Sequence, residues 1–193
     1  MTAPTTTPTE TTPTQTTPTQ TTPTAPAPTD PAAARPGVRT ARPIPPDVLD
    51  ALRSTDDAGR QAVARTDDEG GAPLRCCLRR SEPGESIALV SYAPLRRWAA
   101  ETGADPGPYD EQGPVFIHAR ACPRPVEHAL PFTNTRRVVR RYSTAGRILG
   151  GRLVEDPDGF DAAFAEAFAD PEVALVHVRA VEYGCFLYEV RRP

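Results

Sequence analysis

Two short stretches of the chain each place a histidine and an arginine two residues apart, His-Ala-Arg at residues 118–120 and His-Val-Arg at residues 177–179. Residues two apart on a β-strand project from the same face. A forked guanidinium and a titratable imidazole would then stand side by side, and both donate hydrogen bonds to carboxylates and phosphates. The spacing favours a site for a small anion. Because His-x-Arg also arises by chance, the alternative is a polar strand face that lies in solvent.

The second stretch belongs to a predicted β-hairpin at residues 173–190. The even-numbered residues of its first strand are apolar, and so are the even-numbered residues of 186–190. Burial of both apolar faces requires even-numbered residues to pair with even-numbered ones, and a turn of about three to five residues ending near Gly184 allows this. The predicted register brings Arg179 opposite or nearly opposite Cys185.

These positions predict an anion-binding pocket formed by four residues, His118, His177, Arg179 and Cys185. The expected ligand is a small carboxylate or phosphate. Cys185 is the candidate nucleophile, because cationic neighbours favour a thiolate. The residues leave open whether the ligand is turned over, so they do not assign the protein as an enzyme or name a substrate, a pathway or an oligomeric state.

The cysteines offer a second arrangement. With no export signal, four cysteines indicate free thiols or metal ligands rather than a disulfide framework: Cys76, Cys77, Cys122 and Cys185. A zinc site is the alternative to the anion pocket, provided that the chain turns after His118, and its ligands would be Cys77, His118, Cys122 and Cys185. Against it, the chain has no Cys-x-x-Cys motif, and isolated cysteines are usually small buried hydrophobic residues. No cofactor is otherwise expected.

Composition excludes several classes of protein. All 22 basic residues are arginines, so the chain has neither a Schiff-base lysine nor a P-loop lysine. No serine has the sequence context of a catalytic nucleophile. Residues 35–193, which exclude the two acids of the tail, Glu10 and Asp30, contain 22 positive and 23 negative residues, a net charge of about −1. A nearly neutral domain has no general electrostatic reason to bind nucleic acid.

The arginines are concentrated between residues 136 and 154, where six arginines occur with no acid. This interval reads as two strands around a turn at residues 143–146. The simplest interpretation is that the arginines alternate outward on a solvated strand, and the other is that they bind phosphate. Only Tyr142 interrupts them as an aromatic, which does not favour single-stranded nucleic acid as a partner.

The chain divides into residues 1–42, a Thr/Pro-rich tail with four pentapeptide repeats, and residues 43–193, a single domain. The tail lacks large apolar side chains and is predicted to be disordered. Neither a secretory signal nor a membrane span is predicted, so we expect a cytoplasmic protein. An alternative to ligand binding is a non-catalytic interaction module, whose tail and arginine-rich strands engage a protein partner of unknown identity.

Within the domain, the apolar patterns predict strands at residues 86–92 and 115–119, and a short helix that begins at Pro46. A second helix runs from Asp156 or Asp158 to about residue 169, with a phenylalanine at every fourth position to cover the sheet. Strands separated from helices in this order predict an α+β fold, a mostly antiparallel sheet covered by one or two helices.

Several motifs occur in the order found in a known family: CL at 77–78, PGE at 83–85, LVSY at 89–92, GPVFIHA at 113–119, RRY at 140–142, VHVR at 176–179 and GCF at 184–186. Over about residues 44–192 the chain resembles the bacterial family catalogued as domain of unknown function 1203. The resemblance implies a compact stand-alone protein and supplies no established activity. The family's first motif, Cys-Arg-x-Cys-Leu, would align on residues 74–78, where Leu74 replaces the first cysteine. That departure weakens a zinc or dithiol interpretation, whereas the resemblance supports a site around His118, Arg179 and Cys185.

Overall fold

A computed structural model describes residues 40–122 and 130–192 of the chain. The chain separates into two units, residues 1–34 and 35–193, and the first of these lies outside the described residues. The predicted disordered tail therefore lies outside them too, except for residues 40–42. There the backbone N–H of Arg42 donates a hydrogen bond to Glu189 O at 2.7 Å, so ordered pairing begins before residue 43.

The first sheet has three antiparallel strands in the order β1-β2-β3. They are β1 (Ala64–Asp67), β2 (Glu85–Tyr92) and β3 (Gly113–His118). Helix α1 (Pro46–Ser54) begins with a proline in its first turn and packs its apolar side on this sheet. The apolar contact uses Leu52 of the helix against buried residues of β2 and β3, among them Ile87 and Ile117.

The second sheet has four antiparallel strands in the order β5-β4-β6-β7. They are β4 (Arg137–Ser143), β5 (Ile148–Val154), β6 (Val173–Ala180) and β7 (Phe186–Arg191). Val176 pairs with Val190 and Val178 with Tyr188, which confirms the predicted pairing of even-numbered residues. A register shift after Val178 then places Arg179 opposite Phe186 rather than Cys185.

Both faces of the second sheet are covered. Helix α3 (Phe160–Ala169) packs Phe164 on the even-numbered face, against Val176 and Tyr188. Helix α2 (Pro94–Thr102) packs Trp98 on the other face, against Leu175. Because of the register shift, Phe186 lies on the same face as the odd-numbered residues of β6. This face also meets the first sheet, since the rings of Tyr92 and Phe186 make an edge-on contact at 5.4 Å. The polar residues on this face of β6 are therefore interior residues.

The predicted α+β class is confirmed, with two antiparallel sheets in place of one. The predicted strands and hairpins are present, and the predicted second helix is present after a 3₁₀ turn at Pro157–Gly159. Two elements are additional. They are strand β1 and the nine-residue helix α2.

Within the described part of the chain, no helix is both long enough and apolar enough to cross a membrane.

Candidate functional site

Four potential metal ligands converge where the first sheet meets the loop before β2. Their ligand atoms all lie within 4.8 Å of one another, and three of the four residues are buried. We call this set the Cys₃His cluster; it consists of Cys76, Cys77, His118 and Cys122. His118 ends β3, Cys122 follows four residues later, and the two adjacent cysteines come from the loop at residues 74–79.

The loop is folded by its own backbone so that neighbouring cysteines point the same way. The N–H of Leu78 donates to Leu74 O, and the N–H of Leu74 donates to Arg79 O, both at 2.9 Å. Leu78 has a φ of 58°, in the left-handed region that non-glycine residues rarely adopt. A further bond from the N–H of Arg75 to Phe116 O, at 2.9 Å, attaches the loop to β3. Without this turn, adjacent side chains of an extended segment would point to opposite faces.

Distances within the Cys₃His cluster resemble those of a tetrahedral site. Zinc–sulfur bonds of about 2.3 Å and zinc–nitrogen bonds of about 2.0–2.1 Å place the ligand atoms of a tetrahedron roughly 3.5–3.8 Å apart. His118 Nδ1 lies 3.2 Å from Cys76 Sγ and 3.8 Å from Cys77 Sγ. The two sulfurs are 3.9 Å apart. Each distance is within a few tenths of an ångström of what one central ion requires.

The two adjacent thiols differ in acidity. A hydrogen bond from the Cys76 thiol, together with the backbone N–H of Arg79 and the positive charges nearby, lowers the pKa of Cys77 to about 6. The same hydrogen bond and burial raise the pKa of Cys76. The N–H of His118 donates to Cys76 Sγ at 3.3 Å. Backbone N–H groups thus approach both sulfurs, an arrangement that stabilises thiolates.

The far side of the His118 ring faces a carboxylate. Nε2 lies 3.4 Å from Glu85 Oε1 and 3.4 Å from an Arg79 guanidinium nitrogen. Arg79 also donates to both oxygens of Glu85, at 2.9 and 2.5 Å, and lowers the pKa of Glu85 to about 2. Metal-bound histidines commonly have such a partner on the nitrogen that does not bind the metal, since it fixes the ring and its tautomer.

The residues of the predicted anion pocket are not brought together. His118 belongs to the first sheet, whereas His177 lies inside the second sheet with no exposed surface. The His177 ring lies between Tyr142, at 4.6 Å, and Phe186, at 5.0 Å, and Nε2 is 3.5 Å from Glu189 Oε2. Burial lowers the pKa of His177 and favours the neutral ring. This environment is that of a core histidine.

The Arg179 guanidinium forms its hydrogen bonds with other residues of the protein. Its Nε donates to Gly184 O at 2.7 Å, and a terminal nitrogen donates to Glu111 Oε1 at 2.5 Å. The same carboxylate oxygen accepts a second hydrogen bond from Arg140, also at 2.5 Å. Arg179 therefore fastens the turn after β6 to the segment before β3.

Cys185 lies in the turn between β6 and β7, and its thiol faces Tyr183 O at 3.8 Å. It is not a member of the Cys₃His cluster, which contains the other three predicted zinc ligands together with Cys76, a residue that was not predicted. Cys76 belongs to the cluster because of the turn at residues 74–79, which no residue pattern predicts. The sequence signal available was the Cys76-Cys77 pair itself, from which only Cys77 was chosen.

Comparison with known proteins identifies one family. The model of the family described as Protein of unknown function (DUF1203) matches residues 71–192, more than half of the chain. The match includes all four members of the Cys₃His cluster: Cys76 and Cys77 within a few residues of its start, and His118 and Cys122 farther along. It confirms the resemblance carried by the motifs. The comparisons with curated proteins and with solved structures gave no match.

Proposed function

This chain belongs to the DUF1203 family of proteins of unknown function, and we propose that it binds one zinc ion, or a similar thiolate-preferring metal ion, at the Cys₃His cluster. The observation that supports this most directly is the mutual approach of four ligand atoms to within 4.8 Å. Three sulfurs and an imidazole nitrogen form one of the common ligand sets of structural zinc sites. Calcium and magnesium prefer oxygen ligands and do not suit these side chains.

The charges around the cluster also suit a bound divalent ion. Three thiolates and a divalent ion together carry one net negative charge. Arg79 lies beside the cluster, 3.4 Å from His118 Nε2, and Arg53 donates to the His118 carbonyl oxygen at 3.2 Å. Arg79 also pairs with Glu85, so these positive groups offset only part of the remaining negative charge. The charge of Arg79 favours the thiolate form of Cys77, which metal binding requires.

Four protein ligands would fill a tetrahedral coordination sphere. Catalytic zinc sites keep one position for water or substrate, whereas structural sites do not. We therefore assign the ion a structural role. It would join the loop at residues 74–79 to the end of β3 and to Cys122, which follows β3 closely, and so connect two segments that are distant in sequence.

Cobalt titration of the purified, reduced, full-length protein tests this proposal. Binding of about one Co²⁺ per chain, with thiolate-to-cobalt charge-transfer absorption and the intense visible bands of tetrahedral cobalt, is the expected result. Zinc should displace the cobalt stoichiometrically. Cys122→Ser should weaken binding at least tenfold, and the matched variant Cys185→Ser, outside the cluster, should bind as the wild type does. Absence of saturable binding, or equal losses in the two variants, would contradict the proposal.

The carboxylate behind His118 gives a second, smaller prediction. Glu85→Gln keeps the size of the side chain but removes the charge that faces Nε2. We expect a loss of about 10- to 100-fold in zinc affinity, the usual effect of removing such a partner. Competition with a fluorescent chelator measures it. Glu82→Gln, the neighbouring exposed acid, is the matched control, and an equal effect in both variants would show that only general charge matters.

A further inference from the structure

A cavity of about 480 Å³ is lined by residues of both sheets and by no member of the Cys₃His cluster. Small-molecule sites typically have volumes of about 300–1,000 Å³. The residues that define its character are three arginines and three apolar side chains: Arg75, Arg80, Arg137, Leu89, Phe116 and Leu187. We call it the arginine pocket. Of the four residues predicted to bind an anion, only Cys185 lines it.

Two of the arginines are buried, with 3% of Arg75 and 4% of Arg137 exposed. Both donate only to backbone carbonyl oxygens. Arg75 donates to Phe186 O, at 2.8 Å, and to Pro73 O. Arg137 donates to Phe132 O and Arg136 O, both at 2.9 Å. These bonds hold the guanidinium groups in place but do not neutralise their charge.

Neither buried arginine has a carboxylate within 4 Å among residues 40–122 and 130–192, although ten other arginines there form ion pairs. Burial lowers the pKa of Arg75 to about 10 and lowers that of Arg137, and the repulsion between the two groups adds to the shift of Arg75. Buried charges are normally paired, since an unpaired one is costly. The terminal nitrogens left without hydrogen bonds are not closed off from solvent.

The walls of the arginine pocket are apolar and partly open. Leu89 is 51% exposed and Tyr183, on the turn at the rim, is 86% exposed, two of the few large hydrophobic side chains on the described surface. Phe116 and Leu187 continue this wall inward. The one acid in the lining, Glu182, is exposed and bonds none of the arginines. The cavity thus combines a positive floor with an uncovered apolar wall.

We propose that the arginine pocket binds a small organic anion, whose carboxylate or phosphate meets Arg75 and Arg137 and whose apolar body covers Leu89 and Phe116. An anionic head supplies the missing counter-charge, and a guanidinium can donate two parallel hydrogen bonds to it. The apolar body removes exposed hydrophobic surface from water. This site shares no residue with the Cys₃His cluster.

Calorimetric titration with three probes separates the contributions of head and body. The probes are 3-phenylpropionate, its neutral amide and inorganic phosphate. Specific, saturable binding of 3-phenylpropionate is expected, with at least tenfold weaker binding of the amide, which lacks the charge. Phosphate, which lacks the body, should also bind at least tenfold more weakly.

Variants locate the binding. Arg137→Gln should weaken 3-phenylpropionate binding at least tenfold, and Arg152→Gln, an exposed arginine paired with Glu166, should leave it unchanged. Because Arg137 also supports the backbone, Leu89→Glu provides a second test that does not disturb the core: it sets a negative charge on the exposed wall and should likewise weaken binding. No binding of 3-phenylpropionate, equal binding of acid and amide, or equal binding by all variants would each overturn the proposal.

Discussion

Removal of the proposed metal ion by a chelator is expected to lower the thermal unfolding midpoint of this protein by about 8–16 °C. A ligand that binds only the folded state at 1,000 times its dissociation constant stabilises that state by about 4 kcal/mol. For a domain of roughly 150 residues, each kcal/mol shifts the midpoint by about 2–4 °C. The effect is large because the ion would join the loop at residues 74–79 to the segment that contains His118 and Cys122, two parts of the chain that are distant in sequence.

The comparison to make is between zinc-loaded protein and protein treated with a strong chelator, followed by circular dichroism. Cys77→Ser should unfold at the lower temperature with or without chelator, because it lacks a ligand. Cys185→Ser should respond to the chelator as the wild type does, since Cys185 lies outside the Cys₃His cluster. If the wild type has the same midpoint in zinc and in chelator, the ion has no structural role.

Arg179→Ala is expected to destabilise the fold by roughly 3 kcal/mol, because hydrogen bonds to charged groups contribute about 1.5–3 kcal/mol each and this side chain makes two. Arg179 is 8% exposed, and its bonds reach Gly184 O and Glu111 Oε1. The variant also leaves a cavity between β6 and the segment before β3. Urea unfolding at neutral pH, with the slope of the transition compared between variants, measures the loss.

Two controls separate this structural role from ligand binding. Arg152→Ala removes an exposed pair with Glu166 and should cost less than about 1 kcal/mol. Binding of 3-phenylpropionate to Arg179→Ala should match the wild type at temperatures where both are folded, since Arg179 does not line the arginine pocket. A variant that keeps its stability but loses anion binding would restore Arg179 to the position of a ligand-binding residue.

The local pattern of the chain was enough to predict the hairpin of the second sheet. Alternating apolar residues predicted that even-numbered residues pair with even-numbered ones, as Val176 does with Val190, but they did not predict the shift after Val178. Strand β1 was not predicted at all, because its residues are mostly exposed and carry no apolar alternation. Its place in the sheet depends on pairing with β2, which is a long-range property.

The candidate sites also depend on long-range packing that local sequence patterns do not predict. His118 was predicted, but Cys76 was not, because two adjacent cysteines act together only after a turn that forces Leu78 into the left-handed region. Arg137 was expected in solvent among the other arginines of residues 136–154. Its burial follows from the packing of the two sheets and from carbonyl oxygens that accept its hydrogen bonds, neither of which a strand pattern contains.

One short loop contributes to both proposed sites. Arg75 of this loop lines the arginine pocket, whereas Cys76 and Cys77 belong to the Cys₃His cluster. If one bound ligand orders this loop and so tightens binding of the other, the second must tighten binding of the first by the same factor, because thermodynamic linkage is reciprocal. In that case the metal content of the protein would set its sensitivity to the organic anion.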